Sequence, residues 1–91
     1  MQVWTWDGWG NGTFDLGFPF GTQIVNRHTR VVCSICEISQ PPGEPLDFPF
    51  IGGANMDILN VAPQDDGQVL LRIGIGWDST LNFRVTFFMD P

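Results

Sequence analysis

The 91-residue chain contains no lysine and no tyrosine, and it has only one histidine and two cysteines. Its four basic residues are all arginines and stand against ten acidic residues, which gives a net charge of −6. A protein of this charge is repelled by phosphate backbones and by anionic lipid surfaces. We therefore expect no nucleic-acid partner and no membrane partner.

The residues from which catalytic and metal sites are usually built are scarce. His28 is the only histidine, so a histidine-based triad or a facial metal site cannot be assembled. Cys33 and Cys36 have the C-x-x-C spacing of redox and zinc motifs, but residues three apart on a continuous strand point to opposite faces. The acidic run 65–66 lacks the rest of a calcium-binding loop. We expect no catalytic residue, no metal site and no cofactor, and hence a non-enzymatic protein.

Long apolar runs are also missing. No stretch approaches the ~20 apolar residues of a membrane-spanning helix, and the N-terminal residues lack the basic and apolar regions of a secretory signal. We expect the chain to be made in the cytoplasm without a signal peptide. Its length corresponds to a single domain covering residues 1–91.

Alternation of apolar and polar residues is abundant and indicates half-buried strands. The clearest examples run from residue 68 to 77 and from 81 to 89, and the short link 78–80 between them predicts a β-hairpin. Its register places Leu70 beside Phe88 as an apolar spot on the outer face. The remaining inward pairs would form the core: Trp77 opposite Leu81, Ile75 opposite Phe83, Ile73 opposite Val85, and Leu71 opposite Phe87.

Weaker patterns predict the rest of the fold. Residues 13–20 alternate and contain Pro19, which favours an edge strand, whereas residues 30–39 are apolar on both faces and favour a central strand. Residues 23–26 and 56–61 predict shorter strands, and the proline-rich run 40–50 predicts an extended loop. Turns are expected at 7–12, 27–29, 64–67 and 78–80. The sequence thus predicts an all-β fold with essentially no helix, as a single small antiparallel β-sandwich (jelly-roll-like) or barrel of about six to seven strands.

Eight phenylalanines and four tryptophans exceed what so small a core requires. Trp4, Trp6 and Trp9 lie close together near Asp7 and Asn11. Aromatic faces beside polar side chains can stack on a sugar ring and hydrogen-bond its hydroxyls, which favours a small carbohydrate-binding, lectin-like module. The same residue types also anchor protein interfaces.

The interface interpretation leads to the first functional hypothesis. It is a structural protein of a multi-copy assembly, most concretely a small virion component such as a capsid decoration (cement) protein or a minor coat protein. Its partners would be further copies of itself, as a homo-oligomer, and/or a larger shell protein, whereas the lectin alternative requires a saccharide. The candidate contacts for a protein or sugar partner are Trp4, Trp6, Asp7, Trp9, Asn11, Phe48, Phe50, Leu70 and Phe88.

Overall fold

The computed structural model describes residues 1–90 and shows an all-β fold. No helix occurs within these residues, and the prediction of a small antiparallel β fold is confirmed. The seven strands are β1 (Gln2–Gly10), β2 (Gly12–Pro19), β3 (Arg30–Ser39), β4 (Phe48–Phe50), β5 (Met56–Pro63), β6 (Gln68–Ile75) and β7 (Leu81–Asp90).

The strands form two antiparallel sheets that pack face to face. Sheet A has the order β1-β7-β3-β4, and sheet B has the order β2-β6-β5. Because β1 pairs with β7 and β2 pairs with β6, the two halves of the chain wind around one another as in a jelly roll. As predicted, β2 is an edge strand and β3 lies inside its sheet.

The predicted hairpin between β6 and β7 is wrong. The two strands belong to different sheets, and residues 76–80 carry the chain from one sheet to the other. Their inward side chains therefore meet across the core instead of side by side. Trp77, predicted to be core, lies beyond the end of β6 and is 46% exposed, and Leu81 is only half-buried.

The predicted outer spot formed by Leu70 and Phe88 is also wrong, because it depended on that hairpin. Leu70 lies between Gly17 and Ala62 on the outer face of sheet B. Phe88 lies between Val3 and Val32 on the outer face of sheet A, on the opposite side of the sandwich.

Three local predictions need smaller corrections. The expected turn at 7–12 is confined to Asn11, because β1 continues through residues 7–10. Residues 23–26 form a turn and an irregular segment in place of a strand, with the N–H groups of Ile24 and Val25 donating to the Gly21 carbonyl. The proline-rich run 40–50 is a loop only to residue 47, since its last three residues form β4 against the end of β3.

The core lies between the central strands β6 and β7. Around it, aromatic rings from the edge strands β1 and β2 close one side of the sandwich. Trp6 packs against Phe18 and Phe83, with ring centroids 5.1 and 5.7 Å apart, and Phe18 packs against Phe87 at 4.9 Å. Such edge-on contacts stabilise beyond simple area burial. The fully buried cluster comprises Val25, Val69, Leu71, Ile73, Ile75, Phe83, Val85, Phe87 and Met89.

Candidate functional site

Exposed large apolar side chains gather at one end of the sandwich. Strands β1, β3 and β6 end here, and strands β2, β5 and β7 begin here. The connections between strands at residues 11, 40–47, 51–55 and 76–80 therefore lie together. We call this surface the aromatic end and define it by Trp9, Phe48, Phe50, Ile51 and Trp77, all of which are exposed.

The N-terminal tryptophans do not share one face of β1, because alternate residues of a strand point to opposite faces. Trp6 points into the sandwich and is half-buried. Trp4 lies on the same inner side near the strand end, with its ring centroid 5.7 Å from that of Phe20 and its Nε1 donating to Gln2. Trp9 points outward and is 71% exposed, which makes it the tryptophan most available to a partner.

Asp7 forms an ion pair. Its two carboxylate oxygens accept hydrogen bonds from Arg84 Nε and Nη2 at 2.8 and 3.1 Å, across the β1–β7 pair. Arg84 Nη2 also donates to Asp47 in the proline-rich loop. Binding a sugar hydroxyl at Asp7 would compete with this bidentate pair, so Asp7 is a poorer sugar ligand than its position in the sequence suggested.

A shallow cleft of about 470 Å³ opens between β1 and β2, beside the aromatic end. It brings together three of the predicted partner contacts, Trp6, Trp9 and Asn11, and adds the ring of Phe14. An aromatic wall with one amide group has the composition of a site that stacks a ring and fixes it by a hydrogen bond.

A second apolar surface lies on the outer face of sheet A. Val3, Phe88 and Val32 stand in one row across β1, β7 and β3, and all three are exposed. We call this set the apolar row. It reaches the free edge of the sheet at Val3, and the exposed Met1 precedes it in the chain.

Every arginine forms an ion pair with an aspartate, so each guanidinium group already has an anionic partner. Arg27 pairs with Asp65, and Arg72 with Asp15; each pair is joined by a side-chain hydrogen bond that lowers the pKa of the aspartate below its ordinary value of 3.8. Arg30 pairs with Asp90. Within residues 1–90, the carboxylates with no cationic nitrogen within 4.0 Å are those of Glu37, Glu44, Asp57, Asp66 and Asp78.

The two cysteines lie on opposite faces of β3, as the strand geometry predicted. Cys33 points into the sandwich opposite Phe87, and Cys36 points outward opposite Arg84; both are free thiols. Burial raises the pKa of Cys33 to about 11, which makes its thiol unreactive at neutral pH. No group of three or more metal-ligating side chains comes together in the part of the chain that the structure describes.

Sequence reasoning missed several exposed apolar residues. Trp77 was assigned to the core, although the preceding Gly76 and the polar run 78–80 signal the end of a strand. Val32 had a usable signal, because β3 alternates weakly and must present apolar residues outward. Ile51 follows the proline-rich run with no pattern that could have identified it.

No family model, no curated protein and no solved structure matches this chain. Across residues 1–90, no helix has the length and apolarity needed to span a bilayer.

Proposed function

We propose that this protein is a non-enzymatic structural subunit of a multi-copy assembly, most concretely a small virion component of the capsid decoration or minor coat type. The observation that carries the proposal is the large number of exposed apolar side chains on so small a domain. They are concentrated in the aromatic end and the apolar row. Exposed apolar side chains in this number usually mark protein interaction sites.

The composition of the aromatic end supports the same function. Tryptophan and phenylalanine are enriched in the centres of protein interfaces, where they contribute most of the binding free energy. Trp9 is an exposed indole group near the end of β1, and Trp77 is another on the connection 76–80. Phe48 and Phe50 lie on a strand of only three residues. None of these residues belongs to the buried cluster, so a partner can engage them without unfolding the domain.

The charge distribution defines the kind of partner. Since every arginine is already paired with aspartate, the surface offers unpaired carboxylates and apolar groups to its surroundings. A shell protein that bound the aromatic end through apolar contacts and carried basic residues at the rim would be electrostatically complementary. An anionic partner would be repelled.

The first experiment is sedimentation of a lysate from the native source. A structural subunit of a virion or another large particle should travel with that particle at a fixed stoichiometry. Recovery of the 10.2 kDa chain only at the top of the gradient would contradict the proposal.

A variant test locates the contact. Phe50→Ser should remove the chain from the particle while leaving the isolated domain folded, because Phe50 lies outside the buried cluster. The matched control is Leu70→Ser, which removes an exposed apolar side chain from the outer face of sheet B, near the start of β6 and so away from the aromatic end. Equal loss of binding in both variants would exclude the aromatic end as the docking surface.

A lectin-like function is the second candidate, and the cleft that contains Trp6, Trp9 and Asn11 favours it. Two of these side chains are aromatic and one is an amide, as a stacked sugar requires. Titration with a broad set of saccharides at millimolar concentration, followed by tryptophan fluorescence, tests this function. Binding that Trp9→Ala abolishes and Trp77→Ala leaves intact would support it, whereas unchanged fluorescence throughout would exclude it.

A further inference from the structure

The two sheets leave four strands at their edges, and three of these edges are poorly suited to pairing with another strand. β4 is three residues long and contains Pro49. β5 has a register shift between Ile58 and Asn60 and ends in Pro63. β2 ends in Pro19 and carries the ion-paired Asp15. Short strands, prolines, bulges and charges are the usual means by which edges avoid pairing.

The edge formed by β1 shares only one of these features, an ion-paired aspartate. It runs for nine residues from Gln2 to Gly10, without a proline and without a register shift against β7. Asp7 is its only charged residue, and Arg84 neutralises it. Long, regular and apolar edges are templates for a further strand, since one row of their backbone N–H and C=O groups has no partner within the sheet.

We propose that β1 pairs antiparallel with β1 of a second copy of this chain, over residues Gln2–Gly10 and centred on Trp6. Sheet A of one copy then continues into sheet A of the other, and the dimer has a two-fold axis perpendicular to the joined sheet. The proposal rests on the proposed function and identifies the contact between copies.

The sequence of β1 suits a second copy of itself as the occupant. When the antiparallel pairing is centred on residue 6, the numbers of any two opposite residues add up to 12. Asp7 then lies opposite Thr5 of the second copy, so no like charges face each other.

The same register extends the apolar row. Val3 of one copy lies opposite Trp9 of the other, so the exposed indole continues the line formed by Val32, Phe88 and Val3. The two-fold axis produces this contact twice. The pairing therefore covers Val3 and Trp9, both exposed in the single chain, in one operation.

Cysteine cross-linking tests both the contact and its register. In a background in which Cys33 and Cys36 are replaced by Ala and Ser, the variants Val3→Cys and Trp9→Cys are prepared separately, mixed and oxidised. Opposite residues on antiparallel strands are about 4.5 to 5.5 Å apart at Cα, within the range that a disulfide spans. The mixture should give a 3-to-9 disulfide between chains, identified by mass spectrometry of the linked peptides. Each variant alone should give little dimer, because like positions are about 20 Å apart along the strands.

Val32→Cys mixed with Trp9→Cys is the matched control. Val32 is an exposed valine in the same row as Val3, but it lies two strands inside the edge. Cross-linking of the Val3 mixture at the level of this control would overturn the proposal. Sedimentation equilibrium of the unmodified chain provides a measurement free of substitutions, with a mass twice 10.2 kDa expected at rising concentration in physiological salt. A mass that stays at one chain throughout would also overturn it.

These results separate the pairing from the proposed function. A chain that travels with a large particle and shows no 3-to-9 cross-link would retain its structural function and lose the β1 contact. A cross-linked dimer that is absent from any particle would retain the β1 contact and contradict the structural function.

Discussion

Arg84 and Asp7 face each other across the β1–β7 pair in a bidentate ion pair, with Nε 2.8 Å from Oδ1. The same guanidinium reaches Asp47, so one side chain on the central strand connects the edge strand to the proline-rich loop. Arg84 is mostly buried, whereas the other arginines are more than half exposed. This connection is therefore the ion pair expected to matter most for stability.

Arg84→Gln should lower the free energy of unfolding by about 1 to 2 kcal/mol, because two carboxylates lose a charge-assisted hydrogen bond and are left near each other. Urea unfolding followed by tryptophan fluorescence measures the loss. Arg72→Gln is the control, since the Arg72–Asp15 pair is exposed on the outer face of sheet B. An equal loss in the two variants would contradict the special position of Arg84.

Phe87→Ala should destabilise the domain by about 3 to 5 kcal/mol, the usual cost of removing a buried aromatic ring. Phe87 is 1% exposed and contacts the rings of Phe18 and Phe20. Phe88→Ala, one residue along the same strand, should cost the monomer less, about 1 to 2 kcal/mol, because Phe88 is 40% exposed. Thermal unfolding at low protein concentration compares the two, and similar midpoints would show that the assignment of faces on β7 is wrong.

Acid should weaken the fold partly through Asp15. Its pKa is lowered from 3.8 by the hydrogen bond from Arg72, so the folded state holds the proton less tightly than the unfolded state does. The resulting stabilisation is present above pH 3.8 and is lost as the pH falls through the lower, folded pKa. Arg72→Gln should return the pKa of Asp15 towards 3.8, as measured by carbon-detected NMR titration. An unchanged pKa would mean that the ion pair does not persist in solution.

Cys33 should react slowly with iodoacetamide in the folded protein. With its pKa raised by burial from 9.0 to about 11, on the order of one thiol in a thousand is ionised at pH 8, against roughly one in ten when unfolded. Folding should therefore slow alkylation about 100-fold. Mass spectrometry of a Cys36→Ser variant, with and without urea, isolates the reaction at Cys33.

The same shift makes the fold sensitive to alkali, since the stabilisation due to the neutral Cys33 thiol is complete below pH 9.0 and is lost as the pH rises through about 11. Cys33→Ala should flatten this part of the stability profile. If the stability of the variant falls just as steeply with rising pH, groups other than Cys33 cause the loss of stability in alkali.

The strands of this fold could largely be predicted, because each presents apolar residues at every second position. Their pairing could not. The alternating faces of β6 and β7 are equally compatible with neighbours in one sheet and with opposite walls of a core, since both arrangements bury the same residues. The link 76–80 is short, and its length alone does not distinguish a hairpin from a crossing between sheets.

The end of the first strand was predicted too early, at the expected turn 7–12, for a different reason. The Asp7-Gly8 pair has the composition of a turn, but Gly8 continues β1 and has no positive φ. A Cβ at this position would overlap the ring of Trp6, so the glycine is required by packing on the inner face. That interpretation needs the three-dimensional position of Trp6. Without it, neither the placement of Trp6 and Trp9 on opposite faces of β1 nor the long free edge could be predicted.

The position of β7 has a consequence for biosynthesis. It is the seventh strand in chain order, yet it lies between β1 and β3, so neither has its central neighbour until the ribosome has made β7. Sheet A can therefore form only after β7 is made, from strands far apart in the sequence, which is typical of slow-folding proteins. During that interval β1 is exposed along both sides, and newly made chains would depend on chaperones or on low local concentration to avoid aggregation.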